Sequence, residues 1–363
     1  MLKKRNGDNN MDTRNIITEH SKIKLEIYKK YLKAYLSIMA LPNVPYQHIS
    51  VIDPFAGMGK DDKGTEGSAS IAKSVFDELY PVFISNGKIP HLFLNELDIN
   101  RFAKLKENVS SAEYINFSSD DANKFISNTA NGLMGHALYF IDPFGYTQLD
   151  KTTYDSYLFG KNNTDILIFI PVYHIYRFLR KEENSEQLKP IAEFLKDIDI
   201  SESSVKNLKT YREFTNVVAD ALKEKSNTHF VYYKILDNET SNSHYALFYI
   251  SKNVLGAQKF LEIMDQMKQP SLFYNIISEP EHFRFENGLK QNQVLNNRQI
   301  YLGGIVCGLL PKDIRKILKS LEEEGKISVK SLTGYERKRK AFPVDYSDYI
   351  NKQPKIEVFW VGK

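Results

Sequence analysis

An apolar strand that runs into an acid and then into a glycine-bearing turn leaves few folds open. In this 363-residue chain the segment is His48-Ile49-Ser50-Val51-Ile52-Asp53-Pro54-Phe55-Ala56-Gly57-Met58-Gly59. Without a Cβ, the backbone at Gly57 and Gly59 can approach a ligand closely and take positive φ. The carboxylate of Asp53, at the strand end, can hold an ammonium or another polar edge of that ligand. The same theme repeats downstream. Apolar runs at 90–95, 114–117 and 137–141 lead to Glu96 and Asp98, to Asp120 and Asp121, and to Asp142. The near-continuously apolar run 165–172 predicts a strand buried on both faces. Helical patterns separate these runs, at 20–39, 68–79, 99–109 and 122–130. In the first of them Ile27, Tyr28, Tyr31, Leu32, Tyr35, Leu36 and Met39 recur at i, i+3, i+4, i+7. Strand alternating with helix predicts an α/β fold with a parallel sheet. Ligands then belong at the carboxyl ends of the strands, where all of these acids fall.

Beyond residue 180 the pattern changes. Residues 180–225 are charged and helical in period. Two strands, 229–235 and 244–251, split by a polar stretch, read as an antiparallel hairpin that closes the sheet. Residues 1–18 are polar and expected to be disordered, 19–268 form the α/β domain, and 269–363 form a second one. In the second, residues 310–325 predict a helix with Pro311 near its start and Gly325 as its cap. Ile314, Ile317, Leu318 and Leu321 form its apolar stripe. Strands at 326–330 and 356–361 around a basic loop complete a winged-helix pattern. Lys312, Arg315, Lys316 and Lys319 line one helix face, and Arg337, Lys338 and Arg339 sit in the wing. They suit phosphate contact or a solvated surface, and Glu322, Glu323 and Glu324 oppose the former. The net charge of +4 permits nucleic-acid binding without requiring it. The single cysteine, Cys307, excludes an internal disulfide and a cysteine metal cluster, as expected of a reducing compartment. The polar N-terminus has no apolar signal-peptide core, and no window reaches the about 18 apolar residues of a membrane span. A cytoplasmic protein is expected.

The acids and the turn suggest particular chemistry. A third glycine three residues after Gly59 would complete a dinucleotide fingerprint, but Asp62 stands there. The D-x-F-x-G-x-G turn instead resembles the first motif of S-adenosylmethionine-dependent methyltransferases. Glu96 suits two ribose hydroxyls and Asp121 the exocyclic amine of adenine. With Asp53, Phe55, Gly57 and Gly59 they outline a site for a nucleoside joined to an amino acid. Asp142-Pro143-Phe144-Gly145-Tyr146 resembles the D-P-P-Y element of amino-methyltransferases, with Asp142, Pro143 and Phe144 the candidate catalytic residues. There the acid and a prolyl-flanked carbonyl accept hydrogen bonds from the target amine, so catalysis is largely positioning. An aromatic stacks on a flipped base in that element. Here Phe144 replaces the second proline and Gly145 stands where the aromatic would be, so Phe144 or Tyr146 would have to stack. The loop 60–67 reads as a solvated lid more readily than as a magnesium site of Asp61, Asp62 and Glu66. His174 is expected on the fifth strand, and His244 and Tyr245 in a sheet-edge or core role.

Taken together, these motifs resemble the three-Cys-motif partner proteins (TcmP). Four passages carry the likeness: His20-Ser-Lys-Ile-Lys24 leading to Tyr31-Leu32-Lys-Ala-Tyr35; Ile52 to Gly59 continued by Gly64-Thr-Glu-Gly67-Ser68, Ile71 and Ala72; Phe140-Ile141-Asp142-Pro143-Phe144-Gly145; and His244-Tyr245-Ala246-Leu247-Phe248-Tyr249. The resemblance, which spans roughly residues 20–250, implies an α/β fold of the Rossmann-like class I methyltransferase type, to which the pattern of the C-terminal residues appends the winged-helix-like domain. It implies a three-Cys-motif radical SAM-like protein as partner, while the glycine turn and its acids point to S-adenosylmethionine as cofactor. Methyl transfer to a nitrogen of nucleic acid is the expected reaction. The alternative is a non-catalytic nucleic-acid adaptor for that partner, in a mobile-element or phage-defence system.

Overall fold

The structure is a computed structural model that describes residues 17, 19–143, 145, 147–180, 185–228, 230–236, 244–267, 281–332, 334–338 and 340–362, with the side chains of 19, 20 and 185–188 left out. The expected disordered N-terminus (apart from residue 17), the expected domain boundary at 268, Phe144, Tyr146 and Arg339 lie outside the described residues.

One seven-stranded sheet dominates the chain. Its strands are β1 (His48–Asp53), β2 (Ile89–Asn95), β3 (Ile115–Ser118), β4 (His136–Ile141), β5 (Thr164–Ile170), β6 (Phe230–Leu236) and β7 (Tyr245–Ser251). They lie in the order β3-β2-β1-β4-β5-β7-β6. The first five are parallel, and β7 runs antiparallel to both β5 and β6, which is the hairpin ending expected from the sequence. Every residue of β4 and β5 is buried, which accounts for their unbroken apolar sequence.

Period-two alternation divides the strand side chains between two cores. Val51, Leu138, Phe140 and Leu167 pack beneath α1 (Glu19–Met39), α2 (Ser68–Ser85) and α3 (Ile99–Val109). Ile52, Tyr139, Ile141 and Ile168 pack beneath α4 (Ala122–Gly132), α5 (Val172–Leu179), α6 (Ser185–Asp197), α7 (Glu202–Val205) and α8 (Tyr211–Ser226). A π-helical turn, Thr153–Leu158, lies between β4 and β5. After β7, α9 (Val254–Gln266) returns to the first face. The seven apolar residues read as the stripe of the first helix are all buried on α1.

Among the boundaries that depart from expectation, two involve proline. Helix α2 continues through Pro81 to Ser85 instead of ending at 79. Proline forfeits one helical hydrogen bond, yet the fully buried Phe83 anchors the last turn. Strand β5 stops at Ile170 because Pro171 has no N–H for the ladder and becomes the N-cap of α5. His174 therefore sits on a helix, not on the fifth strand.

The remaining described elements are α10 (Glu281–Asn292), β8 (Val294–Asn296), α11 (Asn297–Val306), α12 (Pro311–Glu323), β9 (Ile327–Ser331), α13 (Tyr346–Ile350) and β10 (Ile356–Trp360). The strands form an antiparallel three-stranded sheet in the order β8-β10-β9. Asn296 and Gln299 make a reciprocal capping box at the start of α11. Helix α12 opens on Pro311, buries Ile314, Leu318 and Leu321, and is followed by Gly325 at φ +69°. Its core is continuous with that under α1, α2 and α9. Tyr301 donates to Gln258 Oε1 at 2.5 Å, and Tyr232 to the Ile305 carbonyl at 2.5 Å. Among the described residues no helix is long and apolar enough to cross a membrane.

Candidate active site

The strand order reverses between β1 and β4, so the loops that follow these strands diverge and open a crevice at their carboxyl ends. A cleft with a cavity volume of about 160 Å³, partly open to solvent, lies there. The turn after β1, from Phe55 to Lys60, forms one wall, and Asp142 after β4 stands opposite. Ser21, Lys24 and Leu25 of α1, Ser68 of α2 and Arg101 of α3, with Ile17, Asp61 and Gly67, complete the lining.

The turn needs its glycines. Gly57 has φ +63° and Gly59 φ +78°. A Cβ at Gly59 would come within 2.8 Å of Val109 Cγ2, and one at Gly57 would meet Arg101 Nη2 at 3.4 Å. Asp53 braces the turn from behind and does not line the cleft. It is fully buried; its Oδ1 accepts the Phe55 N–H at 3.0 Å and its Oδ2 the Ser68 hydroxyl at 2.6 Å. Burial pushes its carboxyl up to about 7 against the pull of those two hydrogen bonds; Asp142 adds to the rise and Lys24 opposes it.

The other acids stand at different depths. Glu96 is buried, accepts the Asp98 N–H at 2.9 Å and faces Arg101 Nε at 3.4 Å. Arg101 thus spans the space between Glu96 and Gly57. Asp121 is exposed and caps α4, accepting from Asn123 and Lys124 N–H at 3.0 and 3.2 Å. Asn95 ties the strand ends together: its Nδ2 donates to the Pro54 and Asp120 carbonyls at 3.1 and 3.0 Å. The loop 60–67 is organised by Asp61, which lines the cleft and accepts N–H groups from Lys63, Thr65 and Ile17 at 2.9, 2.7 and 3.1 Å.

Asp142 is ion-paired with Lys24. The ammonium sits 4.5 Å from the centroid of the Phe169 ring, and the lysine side chain is 7% exposed against 26% for Asp142. Tyr245 stacks on Phe169 at 5.0 Å; burial and then the Asp142 charge push its phenol up. Pro143 is half-buried behind Asp142. A carboxylate held by one buried ammonium, facing an open cleft, can accept a hydrogen bond from an incoming N–H.

Lys24, Ser68 and Arg101 were not singled out from sequence as site residues. Lys24 carried a readable signal. It lies three and four residues before Ile27 and Tyr28, on the buried stripe of its helix, where a lysine needs a partner. Arg101 had no such mark, because only the tertiary fold brings α3 over the turn.

The basic residues of the C-terminal part lie apart from the cleft. Lys312 pairs with Asp265, Arg315 with Asp345 at 2.9 Å, and Arg337 with Glu322 through two bonds of 2.7 Å. Lys316, Lys319 and Lys338 are exposed, with no ion pair among the described residues.

Sheet order, crevice and turn define a mixed α/β protein with a large, mostly parallel, Rossmann-like sheet. No family model matches the chain, and no curated protein matches it. Solved structures do match. Protein LPL1258 from Legionella pneumophila is 13% identical, with a TM-score of 0.38, over 66% of this chain and 90% of that one. The plantazolicin methyltransferase BamL, in complex with a triazolic desmethylPZN analog and SAH, is 14% identical, with a TM-score of 0.32, over 65% and 87%. PKMT2 from Rickettsia typhi, in complex with AdoHcy, is 10% identical, with a TM-score of 0.29, over 82% and 73%.

Proposed function

We propose that the chain is a methyltransferase-like protein of the three-Cys-motif partner type, which binds S-adenosylmethionine in the crevice between β1 and β4 and methylates a nitrogen of nucleic acid. One observation carries this reading: the glycine turn after β1 and the acid after β4 face each other across a single cleft at the reversal of strand order. The residues fit the cofactor. Gly57 and Gly59, at positive φ, keep the turn free of Cβ atoms, and Phe55 lines the same wall. Glu96, buried one strand away, can exchange Arg101 for ribose hydroxyls. Asp53 acts through the turn it braces. When bound, S-adenosylmethionine supplies an electrophilic methyl group on a sulfonium.

The chain's own residues do the rest by positioning. Asp142 accepts a hydrogen bond from the target N–H, and the carbonyl flanking Pro143 a second, so the nitrogen lone pair stays directed into the cleft. Lys24 pairs with Asp142 and fixes its rotamer. The helices α11 and α12 with the β9–β10 pair support a winged-helix-like appended unit.

Calorimetric titration with S-adenosylmethionine tests the first step. Wild type should bind, and Glu96→Ala and Gly57→Val should each weaken binding at least tenfold. Absence of binding by the wild type sinks the proposal.

A further inference from the structure

We propose that the rim formed by α5 and α8 beside Asp142 is a track for single-stranded nucleic acid. It takes bases on the rings of Tyr173, Tyr211 and His244 and phosphates on Arg177, Arg180, Lys206 and Lys209. The inference rests on the reading of Asp142 as the acceptor for the target nitrogen.

The register of the sheet lays out the path. Ile141 pairs with Ile168, so Asp142 stands beside Phe169, and Phe169 pairs with Leu247 on β7. Two residues back along β7, Tyr245 stacks on Phe169, and His244 comes next. The His244 carbonyl accepts the Tyr173 N–H at 3.1 Å, which pins the start of α5 to the start of β7. Tyr211, the first residue of α8, stacks on His244 at 4.6 Å, and Tyr173 stands edge-on to both. Half-buried rings therefore run from the acid across two strand ends to the two helices.

Charge follows the rings. Arg177, Arg180, Lys206 and Lys209 are exposed and have no ion pair among the described residues. Arg180 Nη1 donates to the Lys209 carbonyl at 3.3 Å, so the end of α5 lies beside the connection from α7 to α8 that carries Lys206 and Lys209. Glu202 and Glu213 flank the two lysines in sequence, and Glu213 already accepts the Lys209 N–H at 2.7 Å. On the C-terminal part, by contrast, Lys312, Arg315 and Arg337 would each have to leave an acidic partner to meet a phosphate. Rings interleaved with unneutralised cations suit unpaired bases on a phosphate backbone, because stacking needs bases free of a duplex. A target nitrogen reaches an acid inside a cleft from an unpaired or flipped-out base, and a single strand offers one without the cost of breaking a pair.

The test is fluorescence anisotropy of the full chain with labelled 15-nucleotide single strands of one mixed sequence, as DNA and as RNA. Wild type should bind. Arg177→Glu with Arg180→Glu should weaken binding at least tenfold. It should also reduce the slope of log K against log salt by about 1.4, because each phosphate left without its cation takes away about 0.7. Lys206→Glu with Lys209→Glu should do the same, and it decides the matter should the arginine pair fail to fold. Lys316→Glu with Lys319→Glu should leave binding within twofold. No binding by the wild type, undiminished binding by both rim variants, or weakening confined to the Lys316 and Lys319 variant overturns the track. Titration of each rim variant with S-adenosylmethionine should match wild type, which separates this inference from the cofactor site. A wild type that binds the strands through the rim but not S-adenosylmethionine refutes the catalytic reading and leaves the surface standing.

Discussion

Replacing Asp53 with asparagine should stabilise the protein, by a margin that grows with pH. The carboxyl is fully buried and its pKa stands at about 7, raised chiefly by loss of water. An unfolded aspartate titrates near about 3.9. Between those values the folded chain keeps a proton that the unfolded chain has released, so folding loses stability as pH rises through about 4 to 7 and levels off above. At about 1.4 kcal/mol per pKa unit, the penalty relative to a group that never ionises is about 1.5 kcal/mol at pH 5 and about 4 kcal/mol at pH 8. Asparagine is nearly isosteric and can still accept the Phe55 N–H. Any packing or hydrogen-bond loss it causes is the same at both pH values and cancels in the difference. Urea unfolding followed by far-ultraviolet circular dichroism at pH 5 and pH 8 should therefore show the Asp53→Asn advantage increasing by about 2–3 kcal/mol. An advantage constant to within about 0.5 kcal/mol would mean that Asp53 is already ionised in the fold at pH 5. The argument from burial would then be wrong.

Other consequences follow from the same geometry. Gly59→Ala should cost about 1–3 kcal/mol in chemical denaturation, because alanine resists a positive φ and its Cβ would press on Val109. Lys24→Met should cost about 1–3 kcal/mol by leaving Asp142 beside Asp53 without its cation, a range kept below that of a fully buried pair because Asp142 is partly exposed. Thermal unfolding checks it, and an unchanged midpoint would show the pair to be a surface contact. At the opposite end of β5, the buried Asp165 accepts the hydroxyls of Tyr31 at 2.8 Å and Ser251 at 2.5 Å. Asp165→Ala should cost about 2–4 kcal/mol by removing the carboxylate that accepts from both, although Tyr31 keeps the Tyr249 hydroxyl as a partner, while binding in the cleft stays at the wild-type level. Calorimetry on the folded fraction distinguishes that outcome from a long-range effect on the site.

The seven strands of the large sheet, their order of appearance and the antiparallel hairpin were legible in the chain because each rests on local periodicity, whereas the short β8 was not read from it. The buried face of α1 was equally plain from its apolar spacing, although the lysine placed on it, Lys24, was not singled out. The glycine turn was legible too, since positive φ and close approach are demands that few residues meet. Only the tertiary structure decided what each acid does, because four carboxylates at strand ends look alike in sequence. Folding buries Asp53 behind the turn, pairs Asp142 with Lys24, sets Glu96 against Arg101 and leaves Asp121 as an exposed helix cap. It likewise neutralised Lys312, Arg315 and Arg337, whose partners lie 47, 30 and 15 residues away. Local pattern determines which way a chain turns. Burial and charge pairing depend on segments far apart in sequence, and these set which acids and cations around the cleft are held and which are available.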